Sequence, residues 1–93
     1  MPYIRPDFRK QIDPYLNQFL DDFPTADVSG DLNYVITRIV HHALDIMKKS
    51  NNGEIRYAHL NNLMGVLESA KLEFYRRHVA PFEDQAIIKN GDV

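Results

Sequence analysis

The sequence predicts an all-α protein with a single domain. Apolar residues recur at spacings of three and four along two long segments, which is the period of helices that bury one face. No segment shows the alternation of apolar and polar residues that is typical of strands. A chain of 93 residues, 44% hydrophobic and 26% charged, suffices for one small globular domain. These observations predict an antiparallel hairpin of two long helices with short helices at both ends.

The first elements of this fold are short. Residues 1–12 are expected to be irregular or to form a short helix that begins with Pro6, because a proline at the first helical position sacrifices no hydrogen bond. A clearer helix is predicted over residues 13–23, with Asp13 as its cap and Pro14 at its first position.

The two long helices are predicted over residues 30–49 and 57–79. Ser29 is the expected cap of the first of them. Pro81 lacks a backbone donor and restricts the residue before it, so the second long helix should end or kink there. A short C-terminal helix is then predicted over residues 81–90.

A hairpin of these helices leaves apolar surface uncovered. The apolar arc of the third helix extends from Val66 round to Tyr75, which is wider than one partner helix covers. Association of hairpins would cover the remainder, so we expect a homo-oligomer, with a monomer as the alternative.

Composition excludes several classes of protein. The net charge of -2 argues against general nucleic-acid binding, and the lack of cysteine excludes disulfides and thiolate metal sites. No apolar run has the ~20 residues that a membrane span requires, nor does the N-terminus carry a signal-peptide run. We therefore expect a soluble, cytoplasmic protein without membrane partners.

Two runs of the sequence carry a resemblance. "GDLNYVITRIVHH" and "YAHLNNLMGVLESAKLEFYRRHVAPFEDQAIIKNGDV" resemble a family of short uncharacterised proteins of phages and bacteria. That family shares the pattern G-[DE]-L-N-Y-x-I-T-[KR], then A-K-L-E-F-Y-R-R-x-V-A-P-[YF]-E-D, then N-G-D-V. The match covers most of the chain from Gly30 onward, and "MPYIRP" fits as well. The resemblance implies no activity.

A second resemblance concerns Arg77 to Phe82. This run is similar to the tails of phage anti-CBASS sponges, which are small helical oligomers that sequester cyclic nucleotide messengers of bacterial immunity. Here the proline directly follows the alanine, which departs from the spacing of those tails. The resemblance implies an architecture and a ligand class, and it assigns no binding residue. If the protein is phage-encoded, it would act in the host cytoplasm.

The third helix carries candidate ligand-binding residues near its end. On a helical wheel Lys71 and His78 lie inside the apolar arc, and Tyr75 lies at its edge. In a pocket between subunits, Lys71 would contact a phosphate and Tyr75 would stack on a base. Alternatively, Lys71 extends to solvent and His78 bonds a free carbonyl at the helix end. An interface salt bridge is a further alternative.

Arg76 and Arg77 complete this basic cluster. The two side chains diverge by about 100° along a helix, so we expect them to serve one ligand only from different subunits. Arginine suits phosphate because its fork donates two parallel hydrogen bonds. The alternative for Arg77 is a solvated ion pair with Glu73, four residues earlier.

The second helix carries three more candidates on its outer face. Tyr34, Arg38 and His41 are neighbours at helical spacing, and such a stripe could stack a base and hold a phosphate. The alternative is an ordinary polar face in which His41 pairs with Asp45.

No motif indicates catalysis or metal binding. The adjacent His41 and His42 point apart on a helix, and no nucleophile or phosphate-loop motif occurs. We therefore expect a protein without cofactor, metal or enzymatic activity. The predicted function is sequestration of a small, anionic, nucleotide-derived signalling molecule as an anti-defence sponge. The alternative is a structural or interaction protein that binds a protein partner through its helical face.

Overall fold

The computed structural model describes residues 2–93 and is helical throughout those residues, apart from short connections. No strand occurs within this part of the chain, which confirms the predicted all-α class. The elements are α1 (Pro6–Asp21), α2 (Val28–Ser50), α3 (Tyr57–Phe74), a single π-helical turn (Tyr75–Val79) and α4 (Ala80–Asn90).

Helix α1 begins earlier than the sequence analysis predicts. It starts at Pro6 and continues through Pro14 to Asp21, so the separate helix over residues 13–23, capped by Asp13, is wrong. Pro14 inside the helix removes one backbone hydrogen bond. The helical spacing of apolar residues nevertheless continues upstream of it, and this spacing gives the longer helix one apolar stripe: Phe8, Ile12, Leu16 and Phe19.

Helix α2 is capped by Asp27, so the prediction of Ser29 is wrong. Asp27 accepts a hydrogen bond from the backbone N–H of Gly30 at 3.2 Å. Its carboxylate also lies beside the positive end of the helix dipole, which favours an anion. The helix therefore starts at Val28, and Ser29 lies within its first turn.

Pro81 does not end the third helix. The N–H of Ala80 bonds to the carbonyl of Tyr75, five residues earlier, and helical backbone continues into α4. Proline lacks an N–H and its ring crowds the carbonyl four residues before it, and a π turn is one way to relieve both problems. The predicted end at residue 79 and the separate helix over 81–90 are therefore corrected to one continuous helical run.

Almost nothing in this structure is buried. Leu63 of α3, 8% exposed, is the single buried side chain among residues 2–93. Helix α3 contacts α2, whose partly buried apolar residues lie along one face: Val40, Leu44 and Met47. The radius of gyration is 17.4 Å, whereas a compact domain of this length has roughly 12 Å. The helices are formed, but one chain does not close a core around them.

None of the helices in residues 2–93 is both long enough and apolar enough to cross a membrane.

Candidate functional site

Tyr3, near the N-terminus, meets three side chains at the end of α3 and in the turn that follows it. The Tyr3 hydroxyl donates a hydrogen bond to the carboxylate of Glu73. Arg76 Nη2 and Arg77 Nε each lie 2.8 Å from Oε1 of the same carboxylate. Both arginines also donate to the Tyr3 hydroxyl, at 2.9 and 3.3 Å. We call these four residues the Tyr3–Glu73 cluster.

This geometry corrects one expectation and supports another. Arg76 and Arg77 do meet at one carboxylate of their own chain, although a regular helix directs them about 100° apart. Glu73 precedes them by three and four residues, the two spacings at which helical side chains contact each other. The Glu73–Arg77 ion pair, given above as the alternative to a ligand site, is present.

The cluster strongly favours the charged form of Glu73. The hydrogen bond from Tyr3 and the bonds from Arg76 and Arg77 lower the pKa of this carboxyl from 4.5 to about 2. The Glu73 side chain is 20% exposed, and the two arginine side chains are 64% and 57% exposed. An external anion would have to displace Glu73 before it could use either arginine fork.

Lys71 and His78 have partners of their own. Lys71 Nζ lies 3.4 Å from the carboxylate of Glu68, and both side chains are exposed. The ring of His78 stacks at a tilt on Phe74, with 4.9 Å between centroids. Neither residue belongs to the Tyr3–Glu73 cluster.

Tyr75 faces the C-terminal helix. Its hydroxyl donates to Glu83 at 3.0 Å, and this bond to a carboxylate raises the pKa of the tyrosine. Tyr75 and Lys71 do line one hollow of about 380 Å³, together with Leu72, Phe74 and Val79. The cluster predicted from Lys71 to His78 is thus divided among separate environments, and this hollow contains just two of its five members.

The three candidates of α2 lie closer together. Arg38 Nη1 donates to the Tyr34 hydroxyl at 2.8 Å, and the guanidinium carbon lies 5.7 Å from the centre of that ring. Arg38 and His41 line a hollow of about 380 Å³ that also includes Asp45. Within residues 2–93, no carboxylate lies within ion-pair distance of Arg38, and no hydrogen bond joins His41 to Asp45.

A further concavity is not predicted by the sequence analysis. It is a groove of about 570 Å³ in which apolar side chains of α1 face α2, and Tyr34 and Arg38 lie along its α2 side. The unbroken apolar stripe of α1 is the signal that could have indicated it. The groove is lined by Gln11, Ile12, Tyr15, Leu16, Phe19, Tyr34, Val35, Arg38 and Ile39.

The part of the chain from residue 2 to residue 93 contains no group of three or more histidine, aspartate and glutamate side chains that could hold a metal ion.

One comparison identifies a family. A family model described as "Domain of unknown function (DUF6899)" matches residues 1–93, and the chain belongs to this family. The expected membership of an uncharacterised family is therefore confirmed. No curated protein and no solved structure matches the chain.

Proposed function

We propose that this member of the DUF6899 family is a non-catalytic interaction protein that binds protein surfaces through its helical faces, and above all binds its own copies. One observation carries the proposal: residues 2–93 are mostly helical, yet Leu63 is the single side chain buried among them. Helices draw most of their stability from packing an apolar face. A partner must therefore supply the packing that this chain lacks.

The exposed area gives the size of the missing contact. The chain exposes 8398 Å², whereas a folded monomer of 10.8 kDa exposes roughly 5,500 Å². The excess of about 2,900 Å² per chain corresponds to roughly 5,800 Å² for a pair, at the upper end of obligate interfaces and well beyond transient ones. This size favours a permanent assembly over a passing contact.

In this proposal α2 and α3 form an antiparallel hairpin, and hairpins associate as homo-oligomers. The connection between these helices is short, and the helices contact each other. Closed homo-oligomers are the commonest assemblies of soluble proteins. Large apolar side chains remain exposed on both helices, for example Ile39 at 61% and Met64 at 66%.

Molar mass tests this function. Light scattering coupled to size exclusion at micromolar concentration is expected to give at least twice the mass of the 10.8 kDa chain. The far-UV circular dichroism of the same sample should show the high helix content of the structure. A folded monomer would refute self-association and show that the chain folds without a partner.

A second candidate function is sequestration of a nucleotide-type anion in the cytoplasm. The observation that favours it is Arg38, which donates a hydrogen bond to the Tyr34 hydroxyl and has no carboxylate partner within residues 2–93. It lies between the 570 Å³ groove and the hollow that includes His41. A base on Tyr34 and a phosphate on Arg38 would use groups that no internal anion occupies.

A thermal-shift screen tests this second function. Cyclic di- and trinucleotides, ADP-ribose and mononucleotides are the probes, and a ligand of the native state should raise the unfolding midpoint. Arg38→Ala is expected to abolish the shift, and Arg77→Ala, in which Glu73 loses one cation, is expected to retain it. The absence of any shift, or a shift that survives Arg38→Ala, would count against this site.

A further inference from the structure

Helix α3 carries an exposed stripe with the spacing of a coiled-coil seam. Leu60, Met64, Leu67, Lys71 and Phe74 follow one another at intervals of four, three, four and three residues. The four apolar members are 44%, 66%, 36% and 63% exposed, so a substantial part of each side chain remains open to solvent. The stacking of His78 on Phe74 continues the stripe into the π turn. We call these positions the α3 seam.

We infer that the α3 seam pairs antiparallel with the α3 seam of a second copy, with the two-fold axis near Ser69. This inference rests on the proposed self-association and specifies its surface. The excess of exposed area points to a large contact, and the seam offers an exposed row of side chains that is apolar apart from Lys71.

The antiparallel register follows from matching the two seams. With the axis near Ser69, Met64 lies opposite Phe74 of the second copy, and Leu60 lies opposite its His78. Leu67 lies opposite Lys71 of the second copy, and Glu68 follows Leu67 in its own chain. Leu60 and Met64 thus each contact a ring of the second copy, and Leu67 contacts the aliphatic part of its Lys71. The two-fold symmetry repeats each of these contacts on the other side of the axis.

Charge selects this register over the parallel one. Lys71 is the one cation of the seam, and a parallel pair would place Lys71 directly against Lys71 of the second copy. In the antiparallel pair, Lys71 reaches Glu68 of the second copy, and Glu68 reaches Lys71 in return. A single lysine in such a row is a known device for fixing register, because other alignments leave its charge unpaired.

Charge exchange between two variants tests the pairing between chains. Glu68→Lys and Lys71→Glu each place like charges across the axis, so each alone should self-associate at least about tenfold more weakly. An equimolar mixture should form heterodimers of near wild-type affinity at low salt. Within each variant chain positions 68 and 71 carry like charges, so recovery in the mixture can arise only between chains. Failure of the mixture to recover would overturn the inference.

Cysteine cross-linking tests the register itself, because the chain has no cysteine. Met64→Cys mixed with Phe74→Cys is expected to form mixed disulfides on mild oxidation, whereas each variant alone should cross-link weakly. Efficient cross-linking of Met64→Cys with itself would overturn the antiparallel register. Circular dichroism of each variant should match that of the wild type, because both positions are exposed.

The two proposals fail separately. If the wild-type protein is a folded monomer, self-association fails and the seam fails with it. If the wild type is an oligomer but neither the charge exchange nor the mixed disulfide is seen, the seam alone is wrong and another face mediates assembly.

Discussion

Tenfold dilution is expected to lower the unfolding midpoint of this protein by about 4 °C. If two chains of 93 residues unfold and separate in one step, each tenfold dilution removes about 1.4 kcal/mol of stability. An unfolding enthalpy of roughly 0.7 kcal/mol per residue converts this loss into that shift of midpoint. A large effect is expected because the proposed assembly would supply the core that Leu63 alone cannot supply.

Thermal unfolding followed by circular dichroism from 1 to 100 μM would measure this dependence. A single cooperative transition whose midpoint rises with concentration supports coupled folding and assembly. Glu68→Lys is the matched variant, since it should have a lower midpoint at every concentration and should regain it when mixed with Lys71→Glu. A midpoint that stays constant over this range would show that each chain is stable alone.

The helical class was predictable because it depends on local periodicity, but helix ends were not. Asp27 and Ser29 are both competent caps, two residues apart, and hydrogen-bond geometry alone decides between them. The sequence predicts an end or a kink at Pro81 because proline disrupts a regular helix. One π turn of five residues, Tyr75–Val79, removes the conflict while the helix continues, and no residue pattern predicts that response.

The candidate site shows the same division between local and distant contacts. The Glu73–Arg77 pair was predictable because the two residues are four apart on a helix. Tyr3 was not, since it lies 70 residues from Glu73 and no local pattern links them. Because Glu73 pairs with both Arg76 and Arg77, these arginines belong to an internal ion-pair network, and Arg38 is the better candidate for binding an external anion.

Glu73 is expected to titrate near pH 2 in the native protein, and Tyr3→Phe is expected to raise that value markedly. Donation by the Tyr3 hydroxyl is the largest cause of the lowered pKa, ahead of the bonds from Arg76 and Arg77. Removing the hydroxyl leaves both arginines in place, so the pKa of Glu73 should rise part of the way towards 4.5. Side-chain carboxyl chemical shifts followed by NMR would measure both values.

The lowered pKa of Glu73 should also make the stability of the protein depend on pH in acid. Because the pKa of Glu73 is lower in the folded chain than in the unfolded chain, its contribution is fully present above about pH 4.5 and is lost as the pH falls towards 2. Glu73→Gln should lack this part of the acid dependence, and Tyr3→Phe should lose it at a higher pH than the wild type does. Tyr15→Phe is the matched control, because Tyr15 lies on α1, outside the cluster, and is 79% exposed.

If Glu73 titrates near pH 4.5 in the wild type, Tyr3 does not hold the N-terminal segment against α3 in solution. Arg76 and Arg77 would then be more accessible to an external anion. That result would favour the ligand site that the sequence predicts between Lys71 and His78.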